Sequence, residues 1–171
     1  MEVGQTGTVS QNEKMLSVVF VCSGNICRSP IAEKVYATAL AREGLANRVR
    51  VTSAGTGAWH AGEPADERAA DVLRRNGYPH EHRARQVNPE HLEADLLVAA
   101  GADHVAALTR VLGRREAAGK VRLLRSFDPA AEDGAEVPDP YYGGDQSFDD
   151  VLTMIEATIP GLLSWTREHL V

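Results

Sequence analysis

Cysteine is scarce: the 171 residues hold two, Cys22 and Cys27, five positions apart. Two thiols cannot build the disulfide framework of a small secreted domain. No second ligand pair stands at zinc spacing, so no metal site and no cofactor is expected. A reducing, cytoplasmic compartment is the expectation. Positive charge is in the minority, with 18 Lys and Arg against 24 Asp and Glu and a net charge of −6. That balance argues against nucleic acid or an anionic membrane surface as a partner. Long apolar runs are missing, which excludes a spanning helix. The first 14 residues lack the apolar centre of a secretory signal and are expected to form a flexible tail. The remainder, 15–171, has the length of one domain.

What is present is concentrated in one stretch, Val18-Val19-Phe20-Val21-Cys22-Ser23-Gly24-Asn25-Ile26-Cys27-Arg28-Ser29-Pro30. Its first half is short, apolar and β-branched, and reads as a buried strand. Its end places a proline at the start of helical periodicity, and reads as a helix N-terminus with Pro30 at the first helical position. A loop between a strand end and a helix start is where backbone N–H groups converge on an anion. Cys22 then lies beneath the central atom of a tetrahedral oxyanion, and Arg28 returns beside the oxygens with a planar fork that matches them two at a time. Gly24 and Asn25 tolerate the left-handed backbone such a nest needs. Converging amides, a helix N-terminus and a guanidinium all favour thiolate over thiol, and the Ser29 hydroxyl is placed to donate to the sulfur. Against this stands the plain alternative that Cys22 is a small buried hydrophobe.

Along the rest of the chain, strands are expected at 17–21, 49–53, 96–100 and 121–124. Helices are expected at 30–42, from about Pro64, at Asn88-Pro89, at 103–112 and from Ser147 to His169, the last kinked by Pro160. The alternation implies βαβ units, a parallel sheet and right-handed crossovers. The fold is therefore an α/β doubly wound domain with strand order 2-1-3-4 and helices on both faces. Its ligand site belongs at the carboxyl ends of strands one and three, where Cys22 falls. The segment 127–146 is rich in Asp, Pro and Gly, and long loops of this kind are functional or disordered. Within it Asp139 stands between Pro138 and Pro140, held stiffly enough for a general acid, although Asp-Pro is also common in turns. Asp128-Pro129 is a decoy, since it lacks the aromatic pair that follows Asp139. Trp59 reads either as core or as an aromatic wall.

The run Val-Cys-x-Gly-Asn-Ile-Cys-Arg-Ser-Pro at 21–30 resembles the phosphate loop of the low-molecular-weight protein tyrosine phosphatases. The larger tyrosine phosphatases carry a His before the nucleophile and an acid upstream of it, whereas this chain has Val21 and a downstream acid. The resemblance runs from about Leu16 to the C-terminus. It implies hydrolysis of phosphotyrosine in a protein partner through a phosphocysteine on Cys22. Arg28, Ser23, Gly24, Asn25, Ile26, Cys27 and Ser29 hold the phosphate, and Asp139 acts as general acid and base. It implies that Tyr141 and Tyr142 flank the substrate ring, with Trp59 opposite, and that both tyrosines can themselves be phosphorylated. His82 and Arg85 match a segment that supports the loop from behind. Cys27 is either a packing thiol or a redox partner for Cys22. Some bacterial members are exported without a cleavable signal, and that route stays open here.

The pattern breaks after strand three. The family has Met-Asp or Leu-Asp with Asn three residues later; here stand Ala100-Gly101-Ala102-Asp103. The acid is missing at Gly101, and a less rigid phosphate loop is the expectation on that side. Three rival functions are set against the first. An arsenate reductase sharing the loop needs further cysteines downstream, and none follows Cys27. Phosphoarginine hydrolysis goes with a smaller hydroxylated residue in place of Ile26. A non-catalytic phosphotyrosine-binding module is expected to have lost Cys22, Arg28 or Asp139.

Overall fold

A computed structural model describes residues 15–171; the expected tail at 1–14 lies outside the described residues. Four parallel strands form one sheet in the order β2-β1-β3-β4: β1 Leu16–Cys22, β2 Val49–Gly55, β3 Leu96–Ala99 and β4 Val121–Leu123. Val18 lies opposite Val51 on one side and Leu96 on the other, which puts β1 at the centre. Its side chains alternate between two cores, as a strand covered on both faces must. Val18, Phe20 and Cys22 enter the larger cluster with Ile31, Val35, Val72 and Ile155. Val19 and Val21 enter the smaller one with Leu97 and Leu108.

Six helices cover the faces: α1 Arg28–Arg42, α2 Glu67–Arg75, α3 Pro89–Leu92, α4 Ala102–Leu112, α5 Arg114–Lys120 and α6 Asp145–Leu170. Helix α1 begins two residues earlier than expected, at Arg28, so Pro30 sits third rather than first. Helix α2 begins at Glu67 rather than near Pro64, because the Asp66 carboxylate caps it by accepting from the Arg68 amide. Helix α5 was not expected. It is strongly charged and buries only Ala117, so it carries no apolar periodicity to read. Helix α6 continues through Pro160 as one element and lays Phe148, Leu152, Ile155, Leu162 and Trp165 into the core against α1. Among the described residues no helix is long and apolar enough to cross a membrane.

In the order 2-1-3-4 the winding of successive strands along the sheet reverses at the β1–β3 boundary. The crevice at their carboxyl ends is where this class of sheet binds ligands, and Cys22 is the last residue of β1.

Candidate active site

Five residues, Ser23 to Cys27, separate the end of β1 from the start of α1. Of the two residues expected to take left-handed backbone, Asn25 does, at φ 59°, and Gly24 does not. Glycine is needed at 24 for space instead: a Cβ there would come within 2.8 Å of the His60 ring. Asn25 earns its unusual backbone through its side chain, which is fully buried. Its Oδ1 accepts from the Arg85 amide at 2.8 Å, so its Nδ2 faces the other way and donates to Ser29 Oγ at 2.8 Å and to Ser53 Oγ at 3.0 Å. Ser53 passes its own proton to Glu33 Oε1 at 2.6 Å. His82 Nε2 lies 2.7 Å from the Asn25 carbonyl, so His82 and Arg85 both brace the loop from behind.

This network fixes the direction of the hydrogen bond at the thiol. Ser29 Oγ accepts from Asn25, which leaves its proton for Cys22 Sγ, 3.0 Å away. The Ser29 amide donates to the same sulfur at 3.4 Å. Two hydrogen-bond donors thus converge on one sulfur. Cys22 is 2% exposed, at the floor of a cleft of about 340 Å³. Both cysteines are free. Burial pushes the Cys27 thiol well up, with Asp66 adding to the effect, which keeps it protonated.

Arg28 is nearly buried, and NH1 donates to the Val137 carbonyl at 3.1 Å. Its NH2 is 3.7 Å from Asp139 Oδ2. Its Nε is buried without a protein partner. An unpaired buried donor costs roughly 1–3 kcal/mol, and a cleft-lining arginine that keeps such an N–H is a fitting receiver for an oxyanion. Asp139 lines the same cleft beside Arg28, about half exposed, its Oδ1 accepting from the Tyr141 amide at 3.1 Å. Asp128 is absent from the lining and caps its own turn by accepting from the Ala130 amide.

The cleft is lined by Cys22, Ser23, Gly24, Ile26, Cys27, Arg28, Trp59, His60, Asp139, Tyr141 and Tyr142. Trp59 is 71% exposed and Tyr142 91%, so Trp59 belongs to the rim and not to the core. Asn25 and Ser29, expected among the substrate contacts, have side chains buried behind the loop. Among the described residues no group of three His, Cys, Asp or Glu side chains is placed to hold a metal ion.

Three residues were missed from the sequence. His60 forms cleft wall, its Nδ1 held 2.9 Å from Glu63 Oε1; its place directly after Trp59 was the available signal. Arg68 ties the two halves of the site together. Asp66, whose amide donates to the Ile26 carbonyl, grips the Arg68 guanidinium through both carboxylate oxygens. Burial pulls the Asp66 carboxyl up, but its hydrogen bonds with Arg68 outweigh that and hold it below the ordinary range. Arg68 then donates to the Tyr141 and Gly143 carbonyls, each at 2.9 Å, and lies over the Tyr141 and Phe148 rings.

The third is His104, 4% exposed, whose Nε2 is 2.9 Å from Ser23 Oγ. Burial and the Arg28 charge push its value down to about 4, so the ring is neutral at physiological pH. The support that the missing acid at 101 put in question is supplied from elsewhere. The Glu136 carboxylate accepts from the Ala102 amide at 2.6 Å and lies 3.3 Å from where a Gly101 Cβ would stand. The next residue, Val137, receives Arg28 and also donates its amide to the Ala100 carbonyl at 2.9 Å.

A thiol under two donors, a guanidinium with an unpaired N–H and a carboxylate line one cleft, a set of groups suited to binding an oxyanion. The family profile described as low molecular weight phosphotyrosine protein phosphatase matches residues 17–170. Low molecular weight protein-tyrosine phosphatase A of Mycobacterium tuberculosis is 57% identical over 156 residues, covering 91% of this chain and 94% of that one. The crystal structure of YfkJ from Bacillus subtilis superposes with a TM-score of 0.84 at 35% identity, over 92% of this chain and 98% of that chain. A YwlE arginine phosphatase structure matches with a TM-score of 0.78 at 27% identity, over 89% of this chain and 96% of that chain. This chain belongs to the low-molecular-weight protein tyrosine phosphatase family.

Proposed function

We propose that residues 15–171 form a catalytic unit that hydrolyses phosphotyrosine in proteins by two in-line displacements. The Cys22 thiolate attacks phosphorus while Arg28 and the amides of the loop bind the equatorial oxygens. Asp139 gives its proton to the departing tyrosine oxygen, and the phosphoryl group is left on sulfur. Asp139, now a carboxylate, takes a proton from water as that water attacks phosphorus, the S–P bond breaks, and phosphate leaves with the thiolate restored. No metal or cofactor enters either step.

The observation that carries this reading is the joint presence in one cleft of Cys22, its Sγ held by Ser29 Oγ at 3.0 Å, and Arg28, whose buried Nε has no protein partner. The depth of that cleft and the aromatic rim of Trp59, Tyr141 and Tyr142 suit a long flat phenyl phosphate over a short serine phosphate. Ile26 lines the same cleft and supports phosphotyrosine over phosphoarginine, the substrate named for the YwlE neighbour. The buried thiols fit a reducing, cytoplasmic setting.

The test is a pair of variants on aryl phosphates. Cys22→Ser is expected to abolish turnover while inorganic phosphate still binds. Asp139→Asn is expected to slow phenyl phosphate by about 100- to 10,000-fold, the ordinary range for general acid help, and p-nitrophenyl phosphate, whose leaving group needs less help, by much less. Normal turnover by Cys22→Ser would overturn the assignment, as would equal slowing of both substrates by Asp139→Asn.

A further inference from the structure

The groups described so far that brace the loop from outside, Ser53, His82 and Arg85, come from β2 and the segment that pairs with its end. On the opposite side, toward β3 and α4, the phosphate loop meets His104. Its ring is caught between two groups of different character. The Gly101 amide is 3.0 Å from Nδ1, and an amide N–H can only donate. Nδ1 is therefore the acceptor, and the proton of the neutral ring stands on Nε2. Nε2 faces Ser23 Oγ at 2.9 Å and donates to it. A serine oxygen that accepts from one direction turns its own proton away from that donor. Ser23 directly follows the nucleophile and lines the cleft, so the proton that His104 displaces is aimed where an oxyanion sits above Cys22.

From this geometry we infer that His104 is a positioning residue which, as the Nε2–H tautomer, fixes the Ser23 hydroxyl as a further hydrogen-bond donor to the phosphoryl oxygens of the substrate. The inference deepens the phosphatase reading and rests on it. It adds one side-chain donor to a loop whose other donors are main-chain amides and Arg28. It also gives the change at 101 a meaning. With glycine there, Glu136 takes the Ala102 amide and His104 takes the Gly101 amide, and the imidazole is locked in the tautomer that faces Ser23. A ring protonated at both nitrogens would turn a donor toward the Gly101 N–H and lose that lock. The charged groups around it are Arg28, which opposes protonation, and Asp103, Glu136 and Asp139, which favour it; burial and Arg28 prevail.

The experiment compares binding of inorganic phosphate, by titration calorimetry at neutral pH, to the wild-type protein and four variants. These are Ser23→Ala, His104→Asn, His104→Gln and the double variant Ser23→Ala/His104→Asn. The Asn amide is too short to reach Ser23 but replaces Nδ1 toward Gly101, whereas the Gln amide extends to the position of Nε2. Ser23→Ala and His104→Asn are each expected to weaken phosphate binding about three- to tenfold, the ordinary net worth of one hydrogen bond. The double variant loses no more than either single one, and His104→Gln recovers most of the loss. Nitrogen NMR of the labelled wild-type ring is expected to show the proton on Nε2. Additive losses, equal behaviour of His104→Asn and His104→Gln, wild-type affinity in Ser23→Ala, or a proton on Nδ1 would each overturn the inference. Calorimetry needs no turnover, so the two readings fail separately. Phosphate binding with the expected pattern but no hydrolysis defeats the phosphatase reading; hydrolysis with unchanged binding in Ser23→Ala defeats this one.

Discussion

Removing the imidazole at 104 should change how the fold responds to acid, and by an amount the structure sets. The buried ring takes its proton at about 4 in the folded protein, against an ordinary value of 6.5 in the unfolded chain. As pH falls through 6.5 the unfolded chain binds a proton that the folded one refuses until about 4. Stability tied to the neutral ring is thus complete above the unfolded value and is lost progressively across the window from about 6.5 to 4. At about 1.4 kcal/mol per tenfold ratio, the full window carries roughly 3 kcal/mol. His82 and His91 are also pushed down, chiefly by burial, and add to the slope in the same direction. His104→Gln isolates the contribution of one ring, since the other two histidines remain. Urea unfolding, extrapolated to water at a series of pH values, is the assay. Between about pH 7 and 4.5 the wild-type protein is expected to lose roughly 2 kcal/mol more than His104→Gln does. Parallel curves would refute the reasoning, whatever the absolute stability of the variant at neutral pH.

Two further outcomes follow from the geometry. Arg68→Met removes the two hydrogen bonds that hold the Tyr141 and Gly143 carbonyls. A catalytic group displaced by 1 Å costs on the order of a hundredfold, so kcat on phenyl phosphate should fall by about ten- to a hundredfold and that on p-nitrophenyl phosphate by less; equal loss on both would dissociate Arg68 from the acid. Peroxide should oxidise Cys22 to the sulfenic acid, which condenses with the Cys27 thiol to a disulfide and water; dithiothreitol then restores activity in the wild-type protein and fails to after prolonged peroxide in Cys27→Ser, whereas equal recovery would leave Cys27 a packing thiol alone.

Legibility in the sequence followed locality. The strand, loop and helix around Cys22 were readable because the groups that act on the sulfur, Ser29 and Arg28, lie within seven residues of it and the turn chemistry is written between them. Strand order and the place of the site followed from βα alternation, and Asp139 from its two prolines. Two of the three residues missed act through partners far along the chain; His60 is held locally by Glu63. His104 meets Ser23 across 81 positions and Arg68 meets Tyr141 across 73. No local pattern announces such a pair. The glycine at 101 read as a loss of support because a replacement is sought at the same position, whereas Glu136, 34 residues beyond Ala102, reaches back to take the Ala102 amide and fill the space beside Gly101. Helix α5 escaped for a different reason: a helix with one buried residue has no apolar face to betray it.

The claim on which the account stands is that Cys22 takes the phosphoryl group. Rapid acid quench of the wild-type protein during turnover of a phosphotyrosine peptide, followed by peptide mass spectrometry, reads this directly. The account predicts a phosphate-mass adduct on the Cys22 side chain of the peptide that holds it. Steady turnover with no adduct on Cys22 at any quench time, or an adduct on another side chain, would contradict it.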